Sequence, residues 1–120
     1  MKRILLVDDD PEALSLGKRI LVREGYEVNT AQNGPDAIAL IKRNQYNAIL
    51  LDIMMPGMNG IEASRAIREV VDKKTTPVIF VTAKDDSATM KEGFQAGGTI
   101  FLSKPFTAKQ LVQTVRAVAH

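Results

Sequence analysis

There is no cysteine among the 120 residues and only one histidine, His120 at the C-terminal end. The missing cysteine excludes a disulfide framework, a thiol nucleophile and a thiolate metal site, and it fits a reducing compartment. His120 is expected to be solvated and is assigned no chemical role. Long hydrophobic runs are also missing. Met1-Lys2-Arg3 is followed only by Ile4 to Val7 before three aspartates, so neither a signal peptide nor a membrane span is expected, and a cytoplasmic location is. Charge of one sign is scarce: 16 basic and 14 acidic residues leave +2, too little for a strong overall attraction to nucleic acid or an anionic membrane, and neither is expected as a partner. There is no internal repeat, low-complexity segment or linker. A chain of this length builds one core, so one domain over residues 1–120 is expected. With 45% hydrophobic and 25% charged residues it should fold by itself.

What is present alternates. Arg3 to Val7 is a short apolar run that stops at Asp8-Asp9-Asp10-Pro11; Asp10 suits an N-cap, Pro11 the first helical position, and Gly25 the stop. Tyr26 to Ala31 alternates, as a strand with one wet face does. Gly34-Pro35 opens a second helix that ends near Asn44, with Ala37, Ile38 and Ile41 on one face. A third strand from about Tyr46 to Leu51 delivers Asp52 into a loop with Pro56, Gly57 and Gly60. A helix follows from about Asn59, with Ala63, Ala66, Ile67 and Val70 on one side. Lys73 to Thr76 reads as a polar loop, and Pro77 to Ala83 as a strand covered on both faces. Between Lys84 and Gly98 the helical pattern is poor and Gly93 interrupts it, so this should be the loosest helix. Thr99 to Ser103 is a last short strand, Lys104-Pro105 a turn, and Leu111, Val112, Val115 and Val118 mark the final helix.

Five strands alternating with five helices imply an α/β fold: a parallel sheet, helices on both faces, right-handed crossovers. Continuous apolar strands belong in the middle and alternating ones outside. The expected order is therefore 2-1-3-4-5, the doubly wound, flavodoxin-like arrangement.

In such a sheet ligands bind beyond the carboxyl ends of the strands, here at the switch point between strands one and three. Strand one ends in Asp8-Asp9, strand three in Asp52, strand four in Thr82-Ala83 and strand five in Ser103-Lys104-Pro105. Each has an ordinary explanation, a turn aspartate or a surface lysine, but together they place three carboxylates, a hydroxyl and an ammonium on one edge. Three ionised carboxylates repel unless cations hold them. Lys104 offsets one charge and leaves two for a divalent ion, and an all-oxygen set suits Mg²⁺. A carboxylate among Mg²⁺, Lys104 and Thr82 is equipped to receive a phosphoryl group, with Asp52 as the nucleophile forming an aspartyl phosphate.

Two rival classes fit less well. A flavodoxin-type cofactor binder needs a hydroxyl- and glycine-rich phosphate loop after strand one, and Asp8-Asp9-Asp10-Pro11 has the wrong charge. A phosphatase with an aspartate nucleophile should show a convincing Asp-x-Asp at the end of strand one and a substrate-covering insertion.

The strings Val7-Asp8-Asp9-Asp10-Pro11, Leu51-Asp52-Ile53-Met54-Met55-Pro56-Gly57-Met58-Asn59-Gly60, Val81-Thr82-Ala83 and Lys104-Pro105-Phe106 together resemble the receiver domain of two-component response regulators, over essentially the whole chain. The resemblance implies that Asp52 accepts a phosphoryl group from the phosphohistidine of a histidine kinase or histidine phosphotransfer protein. It implies Mg²⁺ bound by Asp9, Asp52 and the Met54 main-chain carbonyl, with Asp8 acting largely through water. Thr82, the Ala83 amide and Lys104 would hold phosphoryl oxygens, and Thr82 and Phe101 would form the switch. Where many relatives carry Tyr, Phe101 has no hydroxyl, so the switch would work by packing. The output would leave through the fourth helix, fifth strand and fifth helix.

By the same resemblance, Met54 and Lys84 border the phosphoryl group and would set its lifetime, and the Lys104-Pro105 bond would be cis. Ala96-Gly97-Gly98-Thr99 lacks the acidic pair common in receivers that dimerise through their final helices, which puts that mode in doubt. The chain could be a free-standing receiver or one cut from a transcription factor or hybrid kinase.

Overall fold

In the computed structural model, which describes residues 1–72, 76–83 and 87–119, strands and helices alternate throughout. They are β1 (Arg3–Val7), α1 (Pro11–Arg23), β2 (Glu27–Ala31), α2 (Gly34–Arg43), β3 (Ala48–Asp52), α3 (Gly60–Arg68), β4 (Val78–Thr82), α4 (Ser87–Gln95), β5 (Ile100–Ser103) and α5 (Ala108–Val118). The sheet is parallel, in the order β2-β1-β3-β4-β5. The expected doubly wound order is the observed one. Its physical basis is visible in burial: β3 and β4 are buried at every residue and β1 at four of five, whereas β2 and β5 each carry exposed positions.

Side-chain alternation splits the core into two layers. Leu5, Val7, Ile49, Leu51, Val78 and Phe80 face α2 and α3. Ile4, Leu6, Leu50, Ile79 and Val81 face α1 and α5. Local chemistry starts four of the helices, α1, α2, α3 and α5, where the carboxyl ends of the strands need a turn. Asp10 caps α1 by accepting from the Glu12 amide at 2.9 Å. Asn59 and Glu62 form a reciprocal capping box on α3 at 2.9 and 3.0 Å, and Thr107 and Gln110 do the same for α5.

Several expectations change. The third strand begins at Ala48 and includes Asp52; Tyr46 lies before it, buried, with its hydroxyl donating to Asn29 Oδ1 at 2.7 Å. Val70 does not join the inward side of α3, because that helix ends at Arg68, and Val70 is 40% exposed in the turn beyond. Thr76 is no wet loop residue: it is buried, and its hydroxyl donates to the Tyr46 carbonyl at 3.3 Å. The rest of that loop, 73–75, lies outside the described residues, as do Lys84 and His120.

α4 is the loosest helix in the sense expected, burying only Gly93. Yet Gly93 is a contact, not an interruption. A Cβ there would lie 2.5 Å from Phe101 Cζ and 3.1 Å from the Phe80 ring. The Lys104-Pro105 peptide bond is cis.

Candidate functional site

Three backbone ladders run one residue past the strand ends and hold the site in register. Asp8 donates its amide to Ala31 (3.1 Å), Ile53 to Val81 (3.1 Å) and Lys104 to Thr82 (2.9 Å). Asp8 and Asp52 continue the rows of Leu6 and Leu50, on the α1 and α5 side of the sheet. Below them is a small apolar hollow of about 60 Å³, lined by Leu14, Gly17, Val81, Phe106 and Leu111 among others. Thr82 continues the opposite row, two residues beyond Phe80.

One carboxylate oxygen from each of Asp8, Asp9 and Asp52 lies within 4.8 Å of the others. Asp8 and Asp52 are buried and Asp9 is exposed, so the cluster opens to solvent on one side. Lys104 reaches in from beyond β5, its Nζ 3.2 Å from Asp8 Oδ2 and 3.6 Å from Asp52 Oδ2. The remaining oxygens take backbone amides: Asp10 donates to Asp8 Oδ1 at 3.0 Å and Met54 to Asp52 Oδ1 at 3.3 Å.

These contacts leave Asp52 under-compensated. Burial, then the Asp8 carboxylate, push its pKa up to about 6, against the pull of Lys104 and the Met54 amide. On Lys104 burial acts downward, but the Asp52 and Asp8 carboxylates outweigh it and hold the ammonium above its ordinary pKa. A lysine with two carboxylates therefore stays charged, and the site keeps a net negative charge. The residues present fit a hard divalent cation: three convergent carboxylate oxygens with solvent access, and neither nitrogen nor sulfur ligands in the cluster.

The structure brings together Asp8, Asp9, Asp52 and Lys104. Thr82 is fully buried at the end of β4 and Ala83 follows it, exposed. Met54 borders Asp52 through its amide while its side chain is 61% exposed. Phe101 is half-buried one strand further on, paired in register with Phe80. Their ring centroids are 5.4 Å apart, and Phe94 of α4 stands edge-on to Phe101 at 5.1 Å. Sequence reasoning missed the direct Lys104–Asp8 pair, having matched Lys104 to the summed charge. It also missed Phe94, because α4 has no clean stripe to flag it, and Gly60. Gly60 sits where a Cβ would come within 2.2 Å of the Asp52 carbonyl oxygen; its place at the start of the helix behind Asp52 was the available signal.

The sequence matches the response regulator receiver domain family over residues 4–116, and the chain belongs to that family. It is 44% identical over 116 residues to the transcriptional regulatory protein ResD of Bacillus subtilis, covering 97% of this chain and 47% of ResD. It is 40% identical over 115 residues to the transcriptional regulatory protein SrrA of Staphylococcus aureus, covering 96% of this chain and 46% of SrrA. The chain thus spans about half the length of these curated relatives. Among solved structures, chemotaxis protein CheY4 of Vibrio cholerae superposes with a TM-score of 0.94 at 33% identity, covering 98% of both chains. A two-component response regulator from Clostridium difficile gives 0.91 at 27% identity, covering 98% of this chain and 95% of the other. No helix among the described residues is long and apolar enough to cross a membrane.

Proposed function

We propose that residues 1–120 act as one receiver unit in which Asp52 stores a phosphoryl group taken from the phosphohistidine of a histidine kinase or histidine phosphotransfer protein. The observation that carries this reading is the buried Asp52 carboxylate, with Asp8 and Asp9 oxygens within 4.8 Å and the Lys104 ammonium at 3.6 Å. An Asp52 oxygen attacks phosphorus as the P–N bond breaks, and the departing imidazole nitrogen takes up a proton. Lys104 turns from its carboxylate partners toward the phosphoryl oxygens, which Thr82 and the Ala83 amide also hold. Asp9, Asp52 and the Met54 carbonyl would hold Mg²⁺, with Asp8 acting through water. Bound there, the ion supplies positive charge to the carboxylates and to the phosphoryl oxygens. By the family resemblance, Met54 and Lys84 would tune the lifetime of the phosphoryl group.

The chain lowers the barrier to its own phosphorylation and dephosphorylation without being a turnover enzyme. Phosphorylation makes the Asp52 side chain more negative and biases two pre-existing states. Packing gives the signal a route: Thr82 lies on the same row as Phe80, and Phe80 touches Phe101, which touches Phe94 on α4. The α4, β5 and α5 face is then the output surface.

The test is phosphorylation of the full chain by a small acyl phosphate with and without Mg²⁺. Labelling should approach one phosphoryl group per chain, require Mg²⁺ and disappear in Asp52→Asn. Sustained hydrolysis of a phosphomonoester without a labelled intermediate at Asp52 would overturn the reading in favour of a phosphatase.

A further inference from the structure

α4 is buried unevenly. Its only buried residue is Gly93, and the first turn, Ser87 to Met90, is exposed or half-buried. Where the helix ends, α3 fastens it. The fully buried Ser64 hydroxyl donates to the Ala96 carbonyl at 2.8 Å. Arg68, one turn further along α3, donates from Nε and Nη2 to the Gly97 carbonyl at 3.0 and 2.8 Å. Its Nη1 donates to the Thr76 carbonyl at 2.7 Å, ahead of β4. The Ser64 hydroxyl and Arg68 Nε and Nη2 meet carbonyls just past the helix end, where backbone groups lack intrahelical partners. Gly97 adopts φ +95°, and a Cβ on it would lie 2.5 Å from Arg68 Cγ, so the turn is shaped around the arginine stem.

The two ends of α4 also face different tasks. Its first turn comes after the carboxyl end of β4, where Thr82 and the acidic cluster lie. Its last turn leads back to the amino end of β5. Moving the first turn disturbs little buried surface. Moving the last would unpair a planar guanidinium whose donors point in fixed directions, together with two carbonyls of the α4–β5 turn, one of them bonded to a fully buried hydroxyl.

We infer that Ser64 and Arg68 are positioning residues that make the C-terminal turn of α4 a pivot, so that a change at Asp52 is delivered as motion of the helix's first turn. Gly93 belongs to that pivot: its carbonyl accepts from the Gly98 amide at 2.9 Å and its bare backbone packs on Phe101 and Phe80. The inference rests on Asp52 being the phosphoacceptor.

The experiment is amide hydrogen exchange on the full chain with Mg²⁺, before and after addition of a small acyl phosphate, with label at Asp52 quantified in the same sample. Phosphorylation should change exchange at residues 87–92 by ~10-fold or more and at 96–98 by less than ~2-fold. Arg68→Lys keeps the charge but not the fork, and Ser64→Ala removes one donor. In each the response should spread into 96–98 and shrink over 87–92, with stoichiometric label at Asp52 retained. If Arg68→Lys does not fold, the native gradient and Ser64→Ala decide. Equal responses at both ends of α4 in the native chain, or an undisturbed gradient in the folded variants, overturn the pivot while leaving the phosphoacceptor intact. Absence of label at Asp52 in the native chain overturns both.

Discussion

Asp52 is held at a cost, and the cost depends on pH. Its pKa in the folded chain, about 6, stands above the ordinary carboxylate value of 3.8, so the folded state binds more protons than the unfolded one between those values. Stability without metal therefore falls as pH rises through that window and stays lower above it. Asp52→Asn removes the penalty. In chelator at pH 7 it should be more stable than the native chain by about 1–3 kcal/mol, and at pH 4 the two should unfold nearly together. Urea titrations at the two pH values measure this, and an equal gain at both would show that charge is not the cause. Asp52 could be singled out in the sequence because it ends an apolar run and meets other polar strand ends. Its strained charge state could not, since that depends on how deeply the chain buries it and how close Asp8 comes.

At the scale of the element, the turn from β3 into α3 sets the site. Gly60 opens α3 directly behind the Asp52 carbonyl, and a Cβ there would approach that oxygen to 2.2 Å and Ile53 Cα to 2.7 Å. Backbone on both sides cannot yield as a flexible side chain would, so Gly60→Ala should destabilise by about 2–3 kcal/mol. It should also slow labelling by acyl phosphate, because the shift displaces Asp52. Asn59→Ala, which breaks the capping box, should cost about 1 kcal/mol and affect labelling less. Unfolding and labelling rates measured together separate the two; equal effects on labelling would mean that helix capping, not the close approach, positions Asp52. The box was written in Asn59 and Glu62, but the demand for glycine came only from the nearness of the end of β3.

For the whole molecule, the acidic edge should bind Mg²⁺ in the folded chain alone, because the cluster joins β1 and β3, which are 44 residues apart at Asp8 and Asp52. Saturating Mg²⁺ should raise the unfolding midpoint, with ion at ~100 times Kd giving about 2.7 kcal/mol. Asp9→Asn should lose most of that gain while leaving the metal-free midpoint within about 0.5 kcal/mol, as for an exposed substitution. Thermal unfolding with Mg²⁺ and with chelator checks this, and an undiminished Mg²⁺ effect in Asp9→Asn would remove Asp9 from the ligand set.

The residue order alone determined the strand order, the starts of α1, α2 and α3 and the chemical types gathered at the carboxyl edge. Apolar runs mark buried strands, alternation marks edges, and capping residues act within a few positions of themselves. Only the tertiary structure decided which partners those types take. Lys104 pairs with Asp8 across 96 residues, Gly93 serves as a contact for Phe101, and the Arg68 fork joins two loops. The physical reason is distance: such contacts depend on register and side-chain direction between elements far apart in the chain, which packing of the two core layers alone sets.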